Sequence, residues 1–255
     1  MNSYLLVMTA CVDPSKGTYP LKRADPETRL LDYQISLRSW LALPDLRLKH
    51  ILLIENSGYP LSTLERIARE QNPFEKQVEF VSLDCNAYPK DLHFGYAELK
   101  MLDLGLQASK LRGITTHMIK VSGRYRFPSI SRLLNRIPDE FDAIADARGA
   151  ASVFRHRAHH YVTTPIILFK HSFYKSYMQD CYKDLESKRL THMENVYYER
   201  LISLRSGHKV FFRFPCNVTP YGVSGSRGSS YSSPKEAVKN SIRAIARRVA
   251  PNWWI

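Results

Sequence analysis

No apolar run in the chain approaches the roughly 20 residues that a bilayer-spanning helix needs, which excludes a polytopic membrane protein. Cysteine is sparse: Cys11, Cys85, Cys181 and Cys216 lie far apart and no two have Cys-x-x-Cys spacing. That argues against a disulfide framework or a zinc ribbon and predicts free thiols in a reducing cytoplasm. Negative charge is scarce as well, with 24 Asp plus Glu against 37 Lys plus Arg and a formal net charge of +13. Neither an internal repeat nor a long linker divides the 255 residues. What is present is a 44% hydrophobic content, enough for a core and too much for disorder. The apolar start, Tyr4 to Val12, ends in small residues and a cysteine as a lipoprotein signal does. It is short and lacks a preceding positive charge, so it reads as a buried first strand.

After that strand, Asp25-Pro26-Glu27 opens a helix, with Asp25 as cap, Pro26 at the first position and Leu30, Tyr33, Leu37, Trp40 and Leu41 at helical spacing. His50 to Glu55 reads as a second buried strand, Leu61 to Gln71 as a helix and Val78 to Leu83 as a third strand. Gly95-Tyr96-Ala97-Glu98 leads into another helix, and His117 to Val121 is a fourth strand. This alternation predicts an α/β fold with a mostly parallel central sheet and helices on both faces. Ligands of such sheets bind beyond the carboxyl ends of the strands.

The second half is less regular and predicts a mixed arrangement. Short strands are expected at Ala143 to Ala147, Pro165 to Lys170 and Val210 to Phe214, with helices from His171 to Lys188 and Met193 to Leu204. The Gly/Ser-rich loop 222–230 precedes a final helix from about Pro234 to Val249. The expected division is a single domain over 1–233 and a basic amphipathic helix with a Trp-Trp tail over 234–255. In that helix Val238, Ile242, Ile245, Ala246 and Val249 fall at offsets 0, 4, 7, 8 and 11, with Lys235, Lys239, Arg243, Arg247 and Arg248 elsewhere. Followed by Trp253, Trp254 and Ile255, it suits either an interfacial anchor on an anionic membrane or docking of the apolar stripe on the parent domain.

Several segments offer chemistry. Lys120-Val121-Ser122-Gly123-Arg124-Tyr125, at a strand end, combines two cations with a glycine and suits a diphosphate, or is a solvated basic turn. Backbone amides, Ser226 and Arg227 in the Gly/Ser loop offer donors to an anion, or the loop is a plain connector. Glu194 opens the helix after Thr191-His192-Met193, as a general base or as half of a capping box with Thr191. His156, His159 and His160 lack an accompanying carboxylate or cysteine and are interleaved with arginines, so the stretch is read as a solvated basic segment, or with His156 and His159 as acceptor or phosphate contacts, rather than as metal ligands. No metal site is expected from these residues.

Taken in order, Asp25 to Tyr33, Glu55-Asn56-Ser57-Gly58-Tyr59, Gly95 to Glu98 and Lys120 to Tyr125 resemble bacterial surface-polysaccharide (lipopolysaccharide or capsule) glycosyltransferases of the GT-A fold. The resemblance spans Tyr4 to about Tyr231. It implies that Thr9 and Arg29, with Glu55 and Asn56, hold the nucleotide of a nucleotide-sugar donor. Where that fold ordinarily places an Asp-x-Asp metal motif, this chain has Lys120 to Tyr125. By similarity to metal-independent members, Lys120, Gly123 and Arg124 are then expected at the diphosphate, no cofactor is required, and Glu194 is the base of an inverting transfer. Glu98, Asp146 and Glu199 are the other carboxylates available. A glycan or lipid-linked acceptor and a place in the cytoplasm, peripheral to the inner membrane, fit the positive charge. A nucleic-acid binder also fits the charge but lacks any recognition-helix, RNP or zinc-finger signature. A sugar nucleotidyltransferase shares the fold but normally has a Gly-rich first loop, and Val12 to Gly17 holds one glycine.

Overall fold

The computed structural model describes residues 2–149, 160–187, 191–226, 228–231 and 233–249. Within them one sheet is built from β1 (Tyr4–Ala10), β2 (His50–Glu55), β3 (Gln77–Ser82), β4 (His117–Ser122), β5 (Ala143–Gly149), β6 (His160–Lys170) and β7 (Val210–Phe211). Its order is β3-β2-β1-β4-β6-β5-β7. The first four strands are mutually parallel, and β6 runs antiparallel between β4 and β5. The expected α/β class, with a parallel half and a mixed half, is the one observed. The helices are α1 (Pro26–Leu41), α2 (Ser62–Glu70), α3 (Gly95–Ala108), α4 (Ile130–Leu134), α5 (His171–Phe173), α6 (Tyr182–Ser187), α7 (Met193–Leu204) and α8 (Pro234–Val249).

Alternation along β1 explains the layers. Leu5 and Val7 pack with Leu102 and Leu106 of α3 and Tyr197 and Leu201 of α7. Leu6 and Met8 pack on the opposite face with Tyr33, Leu37 and Trp40 of α1 and Leu64 and Ile67 of α2. Both faces are covered, so the strand reads as a continuous apolar run. Asp25 caps α1 by accepting the Thr28 N–H at 2.8 Å, with Pro26 at the first helical position.

Three expectations need correction, the shortest being the strand predicted from Val210 to Phe214, which ends at Phe211. The single helix predicted from His171 is interrupted: α5 runs into a π-turn at Tyr174–Met178, and α6 begins only at Tyr182. Asp180 has φ +64° at the break. Asp103 of α3 accepts hydrogen bonds from Tyr174 Oη (2.7 Å) and the Asp180 N–H (2.9 Å), so the amide released from the helix is satisfied from outside it. Lys188, the predicted end, lies outside the described residues. Pro165 does not start a strand but sits inside β6, where the β5–β6 register shifts between Ile144 and Asp146. A residue without an N–H is tolerated at such an irregularity.

Candidate active site

The carboxyl ends of β1, β2 and β4 open on a cavity of about 460 Å³, walled further by α3, β6, α7, the Gly/Ser loop and α8. Thr9, Asn56, Gly123, Arg124 and Ser226, all singled out in the sequence, line it, as do Arg29 and Glu194. Gly123 is needed there because its N–H donates to Thr9 O at 2.8 Å, and a Cβ would stand only 2.8 Å from that same oxygen. The Asn56 Oδ1 is buried on the cavity side without a hydrogen-bond partner among the described residues.

Other predicted residues shape the site from behind. The buried Glu55 carboxylate accepts from the N–H groups of Val12 (2.9 Å), Ser57 (3.0 Å) and Tyr59 (3.1 Å), tying the loops after β1 and β2 together without lining the cavity. Arg29 donates to Cys11 O (2.7 Å) and Arg23 O (3.0 Å), so its donors hold the loop after β1. Arg124 donates to Val223 O at 2.9 Å and packs so close to Gly225 that a Cβ there would lie 2.6 Å from its Nη2. The Gly/Ser loop is therefore moulded onto this arginine.

Lys120 is placed differently from expectation. It is buried, does not line the cavity, and donates to Glu98 Oε1 (2.5 Å) and Thr164 O (2.9 Å). Alternation in β4 sends it to the same face as Met118, toward α3, rather than out over the strand end. Glu98 also accepts from Thr9 Oγ1 at 3.1 Å. The capping box at Thr191 does not form either: the residue preceding α7 is His192, with no side-chain cap. Glu194 instead accepts from Thr164 Oγ1 at 3.3 Å through Oε1, while Oε2 is buried with no partner among the described residues. Burial, foremost, and the nearby Glu98 push its pKa up. Asp146, 3.5 Å from Arg148, and the exposed Glu199 do not line the cavity. His156, His159 and Arg227 lie outside the described residues, although Arg148 and Tyr161, flanking the histidines, border the cavity.

No protein-family model matches the chain, and no curated protein matches it in sequence. Among solved structures, an active-site mutant of LgtC aligns over 81% of this chain and 71% of its own, with a TM-score of 0.50 at 12% identity. The inositol-1-phosphate CTP transferase of T. maritima aligns over 98% and 99%, at 12% identity and a TM-score of 0.49. The glycosyltransferase GlyE of Streptococcus pneumoniae TIGR4 aligns over 83% of this chain and 45% of its own, at 10% identity and a TM-score of 0.49. The chain has a GT-A-like fold.

At the end of β4, where the resemblance read from the sequence expects cations in place of an acidic metal pair, the described residues offer no acidic pair. Arg124 stands there, and the neighbouring Glu98 is held by Lys120. A different donor set lies where α3 and α7 begin, with Glu194 alone reaching the cavity: His93, His192 and Glu194 each bring one ligand atom within 4.8 Å of the others. Spacing did not reveal it, because His93 precedes α3 and His192 precedes α7 and only their packing joins them, ring centroids 4.2 Å apart. His93 Nδ1 accepts the Gly95 N–H at 3.2 Å, which puts the proton of the neutral ring on Nε2. Burial and then His192 lower the His93 pKa to about 4.

Proposed function

We propose that the protein is a glycosyltransferase that moves a sugar from a nucleoside-diphosphate donor to a hydroxyl of a glycan or lipid-linked acceptor in surface-polysaccharide synthesis, by an inverting and metal-independent route. The observation that carries this reading is Glu194: a carboxylate at the wall of the cavity with one oxygen bonded to Thr164 and the other buried without a partner among the described residues. In the reaction the acceptor oxygen attacks the anomeric carbon and its proton passes to Glu194. The bond from that carbon to the diphosphate oxygen breaks, and its electron pair leaves with the nucleoside diphosphate. A raised pKa suits a base that must take a proton from a hydroxyl and then release it. Thr9, Asn56, Gly123, Arg124 and the Gly/Ser loop surround the space for the donor.

No helix among the described residues is long and apolar enough to cross a membrane. Val238, Ile242, Ile245 and Val249 of α8 are exposed, and together with the +13 charge they support peripheral attachment to an anionic inner membrane, where a lipid-linked acceptor is presented.

The test is a thermal-shift screen of the full chain against UDP, GDP, CMP and their sugars, with EDTA or Mn²⁺, followed by assay of free nucleotide release. A ligand at 100 times its dissociation constant adds about 2.7 kcal/mol of stability. Release of pyrophosphate from a nucleoside triphosphate plus a sugar phosphate, without glycosyl transfer, favours a nucleotidyltransferase. Stabilisation by nucleic acid alone, with steep salt dependence, defeats both readings. Turnover is expected to survive EDTA; loss restored by a divalent ion makes His93, His192 and Glu194 the ligands to examine.

A further inference from the structure

Helix α8 docks with its polarity reversed. Val238, Ile242, Ile245 and Val249 are exposed at 61%, 54%, 62% and 79%, whereas Glu236, Lys239, Asn240 and Arg243 line the cavity. The inward residues fall at offsets 0, 3, 4 and 7, one face of a helix. An amphipathic helix ordinarily buries its apolar stripe, so the inward face must find its stabilisation in charge.

Among the described residues around α8, that charge is only partly balanced. Arg243, with a side chain only 18% exposed, faces Arg148 of β5, and burial followed by the repulsion of Arg148 lowers its pKa. Glu236 is shared between Lys239 Nζ (2.6 Å) and Arg243 Nη1 (4.0 Å), and Asp146 stands 3.5 Å from Arg148. Three cations thus meet two carboxylates. Arg148 Nε is buried with no hydrogen-bond partner among the described residues. Arg124 borders the same cavity, while Lys120 is taken up by Glu98. A buried donor left orphaned among like charges is costly unless an anion meets it.

We infer that α8 is an anion clamp: Lys239 and Arg243, with Arg148, grip the diphosphate of the donor from the side of the cavity walled by α8. This rests on the glycosyltransferase reading for the identity of the anion, but not for its chemistry. Guanidinium forks match the dispersed oxygens of a diphosphate, and positive charge there stabilises the leaving group as the glycosidic bond breaks.

Calorimetric titration of the full chain with inorganic pyrophosphate and with UDP or GDP tests the clamp. Wild type is expected to bind, and the double variant Lys239→Ala/Arg243→Ala to lose at least about tenfold in affinity for both probes, with a shallower dependence on salt. Arg148→Lys, which keeps the charge and removes the fork, is expected to weaken binding as well and guards against loss of fold. Lys209→Ala removes a cation near the start of β5, paired with Glu140, and is expected to bind as wild type does. Unchanged affinity in the double variant, or no pyrophosphate or nucleoside diphosphate binding by wild type, overturns the clamp. Binding that is lost in the double variant while no nucleotide sugar is turned over leaves the clamp standing and removes the glycosyltransferase reading. Normal turnover and donor affinity in the double variant do the reverse.

Discussion

Glu194 carries two effects of opposite sign. Its folded pKa lies above the ordinary 4.5, so its contribution to stability is present below that value and is lost as pH rises through the folded pKa. Glu194→Gln is therefore expected to be at least as resistant to urea as wild type at pH 7 to 8. The same variant is expected to lower kcat by roughly 10²- to 10⁴-fold, and the acid limb of the wild-type pH–rate profile is expected above the usual carboxylate range. Near-normal turnover removes Glu194 from the mechanism; a marked loss of stability at neutral pH shows that the buried oxygen has a partner in solution. At the end of β4, Gly123→Ala forces a Cβ against Thr9 O and is expected to cost about 1–3 kcal/mol in chemical denaturation. The place of Glu194 in the first turn of α7 was legible because the helix is well patterned. The Lys120–Glu98 ion pair was not, because it depends on how α3 lies across β4. His93 was missed for the same reason.

Asp103 links two elements. Burial raises its pKa to about 6 against hydrogen bonds from Tyr174 and Asp180, so its contribution is present below about pH 4 and is lost as pH climbs through about 6. Relative to wild type, Asp103→Asn is expected to gain stability across that window, measured as the difference in urea midpoint at pH 4 and pH 7. A pH-independent difference counts against this assignment. The first four strands, α1 and α7 were readable because their signals are local: apolar runs, a capping aspartate, a proline in the first turn. The α5–α6 break was unreadable because its cause lies in α3, and β6 was cut short because a proline reads as a boundary unless its partner strand is known to slip.

Across the whole molecule, the amphipathic pattern of α8 was plain in the sequence, but not which face turns inward. The inward face sets Glu236 near Arg148 and Arg243 near Asp146, neighbours that only the assembled sheet brings together. Ile242 and Ile245 touch water, so Ile242→Asp/Ile245→Asp is expected to leave Tm unchanged while reducing sedimentation with anionic vesicles; undiminished sedimentation rules out the exposed stripe as the membrane contact. Once an anion bridges Lys239, Arg243 and Arg148, a helix held by charge rather than by apolar area also answers to different variables from the rest of the fold. Its release exposes little hydrocarbon and so carries little heat-capacity change, while its grip weakens as ionic strength shortens the Debye length. Hydrogen exchange of the α8 amides is then expected to quicken from 0.05 to 0.5 M salt with the sheet amides unmoved, so that salt, not heat, is what opens this cavity.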